Sequence, residues 1–203
     1  MSARTTFTSL LALALLPALA LAADSKKPAD PPTRDKPIKV GEKAPTLTLT
    51  SEAGKKVDLA KVYQDGPTVL VVLRGYPGYQ CPACSRQAAG FIGAADKFKQ
   101  AGAKVVMVYP GGVANLGERA GEFLAAQKRS EKSLPEPVVM TLDPDYQLTN
   151  AYGLRWDAPR ETAYPSTYII GKDGKVTFAE VSRTHGGRVA ADKVLKELGK
   201  KKS

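Results

Sequence analysis

The chain has 203 residues, a formal net charge of +10, one histidine and two cysteines. The two cysteines, at 81 and 84, are separated by only two residues. A small secreted domain held together by disulfides has more cysteines, spread over longer loops. The basic residues stand singly or near the chain ends, without the interleaved aromatic residues of a nucleic-acid-binding surface, so no nucleic-acid partner is predicted.

The first residues have the pattern of an export signal. Arg4 is followed by an apolar run over 10–22 that ends in small residues. A positive start, a short apolar stretch and a small-residue exit make up a secretory signal peptide. We therefore predict that 1–22 is a signal peptide and that the protein is exported, to a periplasmic or extracellular location. The run is shorter than the about 20 apolar residues of a spanning helix, so no stable membrane anchor is expected; an uncleaved anchor is the alternative.

Composition then divides the rest of the chain. Residues 23–39 are rich in Lys, Asp and Pro and predict a flexible leader with little to bury. Residues 40–198 have the length of one domain. Residues 199–203 form a basic tail.

The predicted elements alternate between strands and helices. Two short strands form an N-terminal hairpin, an almost wholly apolar strand follows, and a Gly-Lys-Asp-Gly turn joins two later strands. Alternating βαβ units predict a parallel sheet with helices on both faces. The α/β order resembles the thioredoxin fold: a central mixed sheet flanked by helices, with an N-terminal β-hairpin extension. The predicted strands are 47–50, 57–59, 68–73, 104–109 (ended by Pro110-Gly111-Gly112), 137–142, 166–170 and 175–180, and the predicted helices are 82–100, 118–128, 146–152 and 190–198.

The two cysteines lie where a loop from a buried strand meets a helix, as Cys81-Pro82-Ala83-Cys84. Unpaired amides and the helix dipole favour a thiolate at this place, and the spacing allows a disulfide to close across one turn. A structural disulfide would constrain little in so short a loop. Zinc needs four ligands, and the chain offers one histidine, His185, which we expect to be an exposed loop residue. The glycine-containing approach loop argues against inert, buried cysteines.

The stretch 41–87 resembles the alkyl hydroperoxide reductase/thiol-specific antioxidant superfamily. It carries Gly41-Glu42-Lys43-Ala44-Pro45, the buried strand and then the active loop. The family motif Pro-x-x-x-Thr/Ser-x-x-Cys is matched from Pro77 to Cys84, with Cys81 in place of the Thr/Ser. The resemblance implies a peroxide-reacting role for Cys84. Around the two cysteines, the candidate supporting or substrate-binding residues are Arg74, Pro77, Tyr79, Gln80, Gln87, Arg160, Pro165 and Thr167.

One position departs from the family pattern. The family's catalytic arginine comes just before the strand that starts at Ser166, and this chain has Pro165 there. That proline resembles the cis-proline of thioredoxin-like reductases, which packs against the dithiol and presents backbone to the substrate. Arg74 and Arg160 are the candidates to replace the missing arginine.

Three functions remain open on the sequence. In a thiol-dependent antioxidant peroxidase, Cys84 attacks a hydroperoxide, Cys81 resolves the sulfenic acid, and a thioredoxin-like thiol donor resets the disulfide. In a protein disulfide reductase or oxidase, Cys81 attacks a protein disulfide and Cys84 releases the mixed intermediate. A non-catalytic, redox-linked binding domain is the third. None of the three needs a cofactor.

Overall fold

The computed structural model describes Met1 and residues 33–127 and 133–200. The predicted signal peptide, most of the predicted leader and the end of the basic tail lie outside the described residues. No helix in the described ranges is long and apolar enough to cross a membrane. The strands are β1 (Thr48–Ser51), β2 (Lys56–Asp58), β3 (Thr68–Val72), β4 (Lys104–Gly111), β5 (Val138–Pro144), β6 (Ser166–Ile170) and β7 (Val176–Val181). The helices are α1 (Leu59–Asp65), α2 (Pro82–Gly93), α3 (Ala95–Gln100), α4 (Leu116–Ala125), α5 (Gln147–Ala151) and α6 (Ala191–Gly199).

The strands form one mixed sheet in the order β2-β1-β5-β4-β3-β6-β7. Strands β3, β4 and β5 are parallel, while β6 runs antiparallel to β3 and β7 antiparallel to β6. Strand β1 pairs antiparallel with β2 and with β5. The predicted thioredoxin-like α/β fold is confirmed, including its N-terminal hairpin.

Alternate residues of β3 belong to two separate hydrophobic core clusters, one on each face of the sheet. Val69 and Val71 pack with Phe91 and Phe98 on the face covered by α2, α3, α4 and α6. Leu70 and Val72 belong to the opposite cluster, with the side chains of α1 and α5. Because successive side chains of a strand point to opposite faces, this apolar strand is buried on both sides, as its composition predicts. The sheet therefore holds the carboxyl end of β3 rigidly.

Two predicted elements differ in their extent, and one helix was not predicted. Helix 82–100 is interrupted at Ala94, where Gly93 weakens helical propensity. Strand β4 continues through Pro110 to Gly111, because the paired part of β3 ends opposite Val108 and no partner on that side needs the missing proline amide. Helix α1 was not predicted; Asp58 ends β2 and caps α1 by accepting a hydrogen bond from the Ala60 amide at 3.0 Å.

The predicted flexible leader, 23–39, extends too far toward the domain, and its carboxyl end is wrong. The amide of Ile38 donates to the Tyr152 carbonyl at 3.1 Å, and its side chain is buried in the cluster that contains Leu70. Arg34 forms an ion pair with Glu42 at 2.9 Å. The packed domain thus begins before Val40, since one isoleucine in a polar stretch has a place in the core that composition does not reveal.

Candidate active site

The two cysteines lie at the start of α2, beyond the carboxyl end of β3. Cys81 is the N-cap residue of this helix and Pro82 its first residue, a position where the missing proline amide costs nothing. The Cys84 amide donates to Cys81 Sγ at 3.4 Å. The sulfur of Cys81 therefore occupies the place that an N-cap oxygen usually takes.

The loop that delivers Cys81 is fixed at both of its ends. Gly75 has φ +74°, and a Cβ there would lie 2.0 Å from the Pro110 carbonyl oxygen, so only glycine fits against the end of β4. Gln80 donates to the Arg119 carbonyl at 2.9 Å and accepts from the Tyr109 hydroxyl at 2.9 Å. Gln80 thus ties the loop to α4 and β4 instead of facing the thiols, and the half-buried Pro77 lies between the two anchors.

Both cysteines are reduced and almost fully buried, with relative exposures of 3% for Cys81 and 1% for Cys84. A hydrogen bond from the Cys84 thiol has the largest effect on Cys81 and lowers its pKa. Burial opposes this, but the Cys84 amide and the charge of Arg188 lower it further, and the Cys81 pKa falls to about 5. The hydrogen bond that Cys84 donates, together with its burial, raises the pKa of Cys84 well above the ordinary value. The two shifts run in opposite directions and favour a thiolate at Cys81 and a protonated thiol at Cys84.

Arg188 is a site residue that the sequence analysis did not identify. Its Nη2 lies 3.3 Å from Cys81 Sγ and its Nη1 3.4 Å from Gln87 Oε1. Gln87 in turn donates to the Val189 carbonyl at 3.2 Å and to Thr167 Oγ1 at 3.4 Å. Gln87 and Thr167 are therefore positioning residues for Arg188. The only sequence signal was a basic residue after two glycines, in the loop that follows the last strand.

Arg74 is buried behind the dithiol, with a relative exposure of 2%. Its Nε pairs with Glu161 Oε2 at 2.6 Å, and its Nη1 donates to the Tyr79 hydroxyl at 2.5 Å. Its Nη2 donates to the Arg160 carbonyl at 2.8 Å. Of the two arginines proposed to replace the missing one, only Arg74 faces the site, where its hydrogen bond also lowers the pKa of Cys81. The prediction for Arg160 is wrong: its side chain is exposed, and it contributes only a backbone carbonyl.

Pro165 is trans, so the predicted cis-proline is wrong; within the described ranges the cis peptide bond is Glu136–Pro137. The preceding residue, Tyr164, has both of its backbone groups occupied. Its amide donates to the Leu154 carbonyl at 2.9 Å, and its carbonyl accepts from Ser166 Oγ at 2.8 Å. The bond before Pro165 thus has the isomer that X–Pro bonds usually adopt, and both backbone groups of Tyr164 are engaged within the protein.

The model of the AhpC/TSA family matches residues 40–179. The chain belongs to this family. Peroxiredoxin Q, a chloroplastic protein of Oryza sativa subsp. japonica, is 28% identical over 141 residues, which are 70% of this chain and 58% of that protein. A putative peroxiredoxin of Mycobacterium tuberculosis is 30% identical over 155 residues, 74% of this chain and 89% of that protein. The chain thus spans little more than half the length of the plant relatives.

Solved structures of AhpC/TSA-like proteins share the fold. Peroxidoxin BcpB of Mycobacterium tuberculosis superposes with a TM-score of 0.62 at 21% identity, covering 82% of this chain and 99% of that one. Reduced Prx3 of Vibrio vulnificus, in complex with H₂O₂, gives a TM-score of 0.63 at 24% identity, covering 79% and 99%. Within the AhpC/TSA fold, this chain has a Cys-x-x-Cys pair, Cys81 and Cys84, and it has Pro165 at the position where the family's arginine is expected.

His185 is exposed, as its loop sequence predicts, but it is not isolated. Its side chain is 55% exposed, and its Nε2 lies 2.7 Å from Glu161 Oε1. Burial opposes ionisation of Glu161, yet the hydrogen bonds from Arg74 and His185 outweigh it and hold the Glu161 pKa below the ordinary value. Glu161 is therefore the carboxylate that compensates the buried charge of Arg74.

Replacing Glu161 by glutamine is expected to reduce the free energy of unfolding by about 2–3 kcal/mol, because the buried Arg74 charge loses its partner. Urea denaturation at neutral pH measures this, and His185→Gln, which keeps the Arg74–Glu161 pair, should change it by less than about 0.5 kcal/mol. The folded-state pKa of Glu161 is lowered, so the pair's contribution is present above the ordinary carboxyl pKa and disappears as the pH falls through the lowered value. Equal losses in the two variants would contradict this assignment.

Proposed function

We propose that this AhpC/TSA protein is a thiol peroxidase that reduces hydroperoxides through Cys81 and Cys84. The observation that carries the proposal is the position of Cys81 Sγ, which accepts from the Cys84 amide at the N-cap of α2 and lies 3.3 Å from Arg188 Nη2. These contacts favour a thiolate at Cys81, with the Cys84 thiol beside it. A thiolate is the nucleophile that attacks a peroxide, and a neighbouring thiol is what resolves the product.

The proposed reaction begins at Cys81. Its thiolate attacks the outer peroxide oxygen, so that an S–O bond forms and the O–O bond breaks. The leaving alkoxide takes the proton of Cys84 and departs as an alcohol, or as water from hydrogen peroxide. The Cys84 thiolate then attacks the sulfur of the Cys81 sulfenic acid; the disulfide forms, and the released hydroxide takes a proton from solvent. A thioredoxin-like dithiol donor supplies the two electrons and the protons that restore the starting pair.

This assignment reverses the roles that the family spacing implies. The spacing places the peroxide-reacting sulfur at Cys84, but that thiol is the more deeply buried and its pKa is raised. Cys81 is the sulfur at the helix cap and beside the arginine. We therefore propose that Cys81 attacks and Cys84 resolves.

The occupied backbone of Tyr164 supports a hydroperoxide over a protein disulfide as the substrate. A disulfide reductase binds its substrate chain through backbone groups beside the strand-entry proline, and those of Tyr164 are bonded to Leu154 and Ser166. A hydroperoxide needs only access to one sulfur. The lowered Cys81 pKa likewise argues against a non-catalytic binding domain, for which an unperturbed thiol would serve.

The test is hydrogen peroxide consumption by the purified protein with excess dithiothreitol, run beside an insulin-reduction assay. We expect catalytic peroxide loss that depends on protein and on Cys81, with insulin reduction no faster than dithiothreitol alone. Insulin reduction without peroxide turnover would replace the proposal with a disulfide reductase. If neither reaction is catalysed, the dithiol has a binding or sensing role.

We further propose that the protein works outside the cytoplasm, since residues 1–22 carry the signal-peptide pattern. Expression of the full chain, followed by N-terminal sequencing of the exported form, tests this. A new N-terminus after Ala22 or Ala23 is expected, whereas an intact N-terminus on intracellular protein would contradict export.

A further inference from the structure

A pocket of about 270 Å³ lies between α2 and the segment 186–191. Its polar lining consists of Arg86, Gln87 and Arg188, and the rest of its wall is made of alanine, glycine and valine. None of the lining residues is acidic. The pocket adjoins the dithiol through one side chain, because Arg188 lines it and also contacts Cys81 Sγ at 3.3 Å.

Among the described residues no carboxylate pairs with either arginine of this pocket, and the anionic group in contact with Arg188 is Cys81. Arg188 bonds to Cys81 and Gln87, and its buried Nε has no hydrogen-bond partner. Arg86 is exposed and makes no ion pair with any residue in the described part of the chain. Asp192, in the first turn of α6, pairs instead with Lys97 at 3.6 Å.

We propose that the Arg86/Arg188 pocket binds the carboxylate of a small organic hydroperoxide whose peroxide group reaches Cys81, an inference that rests on the proposed peroxidase function. Arginine is well suited to carboxylates because its guanidinium presents several fixed donors. The small, non-polar remainder of the wall accommodates a short carbon chain. The volume is near the lower end of the usual range for ligand pockets, about 300–1,000 Å³, which favours a short-chain acid over a lipid.

The first test needs no turnover and uses alkylation of the reduced protein. Iodoacetate carries a carboxylate, and iodoacetamide is its neutral analogue. The ratio of their alkylation rates at Cys81 therefore reports the attraction of the pocket for a carboxylate. A general change in thiol reactivity affects both rates equally and does not change this ratio. Arg86→Gln should lower this ratio about three- to fivefold, the effect of a solvent-exposed ion pair. Lys99→Gln removes the same charge from an exposed position on α3 and should leave the ratio unchanged.

The second test compares a short-chain hydroperoxy acid with its methyl ester as substrates. We expect a higher kcat/KM for the acid, and a preference that falls in Arg86→Gln but not in Lys99→Gln. Equal values for acid and ester, or a preference that Arg86→Gln does not change, would overturn the subsite. If the protein instead prefers acidic over neutral thiol donors and shows no preference between the hydroperoxide substrates, the pocket binds the reductant. That result would overturn the proposal that the pocket binds a hydroperoxide.

Hydrogen peroxide separates the two proposals, because it has no carboxylate. If hydrogen peroxide is not consumed, the proposed peroxidase function is wrong. The alkylation ratio still tests independently whether the pocket attracts a carboxylate. If hydrogen peroxide is consumed but the alkylation ratio is insensitive to Arg86→Gln, only the carboxylate subsite fails.

Discussion

Replacing Cys81 by serine is expected to abolish peroxide turnover, with a loss of at least about a thousandfold, because the variant has no thiolate nucleophile at neutral pH. The remaining Cys84 is buried, and burial by itself raises the pKa of this thiol and disfavours its thiolate. The measurement is peroxide consumption with excess thiol donor, together with mass spectrometry after one equivalent of hydrogen peroxide. No oxygen should be added to the Cys81→Ser protein.

The matched variant, Cys84→Ser, should behave differently. It keeps the Cys81 thiolate, and the serine hydroxyl can donate the hydrogen bond that the Cys84 thiol donates in the parent. One equivalent of peroxide should add a single oxygen, trapped by dimedone at Cys81, and no disulfide can follow. A sulfenic acid formed at Cys84 in the Cys81→Ser protein would restore the role that the family spacing assigns to Cys84.

Replacing Arg188 by glutamine should raise the Cys81 pKa by about one unit, since a positive charge in contact with the thiolate is removed. The parent Cys81 pKa is about 5. Alkylation by iodoacetamide should therefore increase as the pH rises through that value and reach a plateau by neutral pH. In Arg188→Gln the same curve should be displaced to higher pH, so that the rate deficit is largest under acidic conditions. Because Arg188 lies 3.3 Å from Cys81 Sγ, we expect it also to donate to the peroxide oxygens, so peroxide turnover should fall about tenfold or more in this variant.

Arg183→Gln provides the control for this experiment. Arg183 belongs to the same loop, is exposed, and stacks on the Tyr164 ring at 4.5 Å instead of contacting a sulfur. Removing its charge should leave the alkylation curve unchanged. Equal displacement in both variants would indicate a general charge effect and would remove Arg188 from the site.

The parts of the fold and the site that the sequence predicts are those set by local pattern. The almost wholly apolar composition of 68–73 predicts burial on both faces, and the Gly-Lys-Asp-Gly turn predicts the pairing of β6 with β7. Cys81 and Cys84 follow from the same reasoning, because a helix start is a local feature. These elements need no knowledge of distant contacts.

Contacts between distant segments are what local pattern misses. Arg188 lies 107 residues along the chain from Cys81, and the two glycines before it do not indicate that it reaches the thiols. Arg74 likewise is a charged residue of the kind that usually lies on the surface. It is buried here because it pairs with Glu161, 87 residues away along the chain. The Tyr164 amide is also bonded to a carbonyl of an earlier segment, at Leu154, which its own neighbourhood does not predict. Each error reflects a tertiary contact that overrides a local expectation.

The capping of α2 by a sulfur ties the order of this helix to the redox state of the protein. The Cys84 amide is held by the Cys81 thiolate at 3.4 Å, and oxidation of that sulfur removes its negative charge. The Cys84 amide then loses its anionic acceptor and becomes free to exchange with solvent. Each round of oxidation and reduction therefore loosens and restores one end of a helix, so hydrogen–deuterium exchange at the Cys84 amide should be slower in the reduced protein than in the oxidised one. The Ser85 amide, which donates to the Cys81 carbonyl at 3.0 Å, should change less.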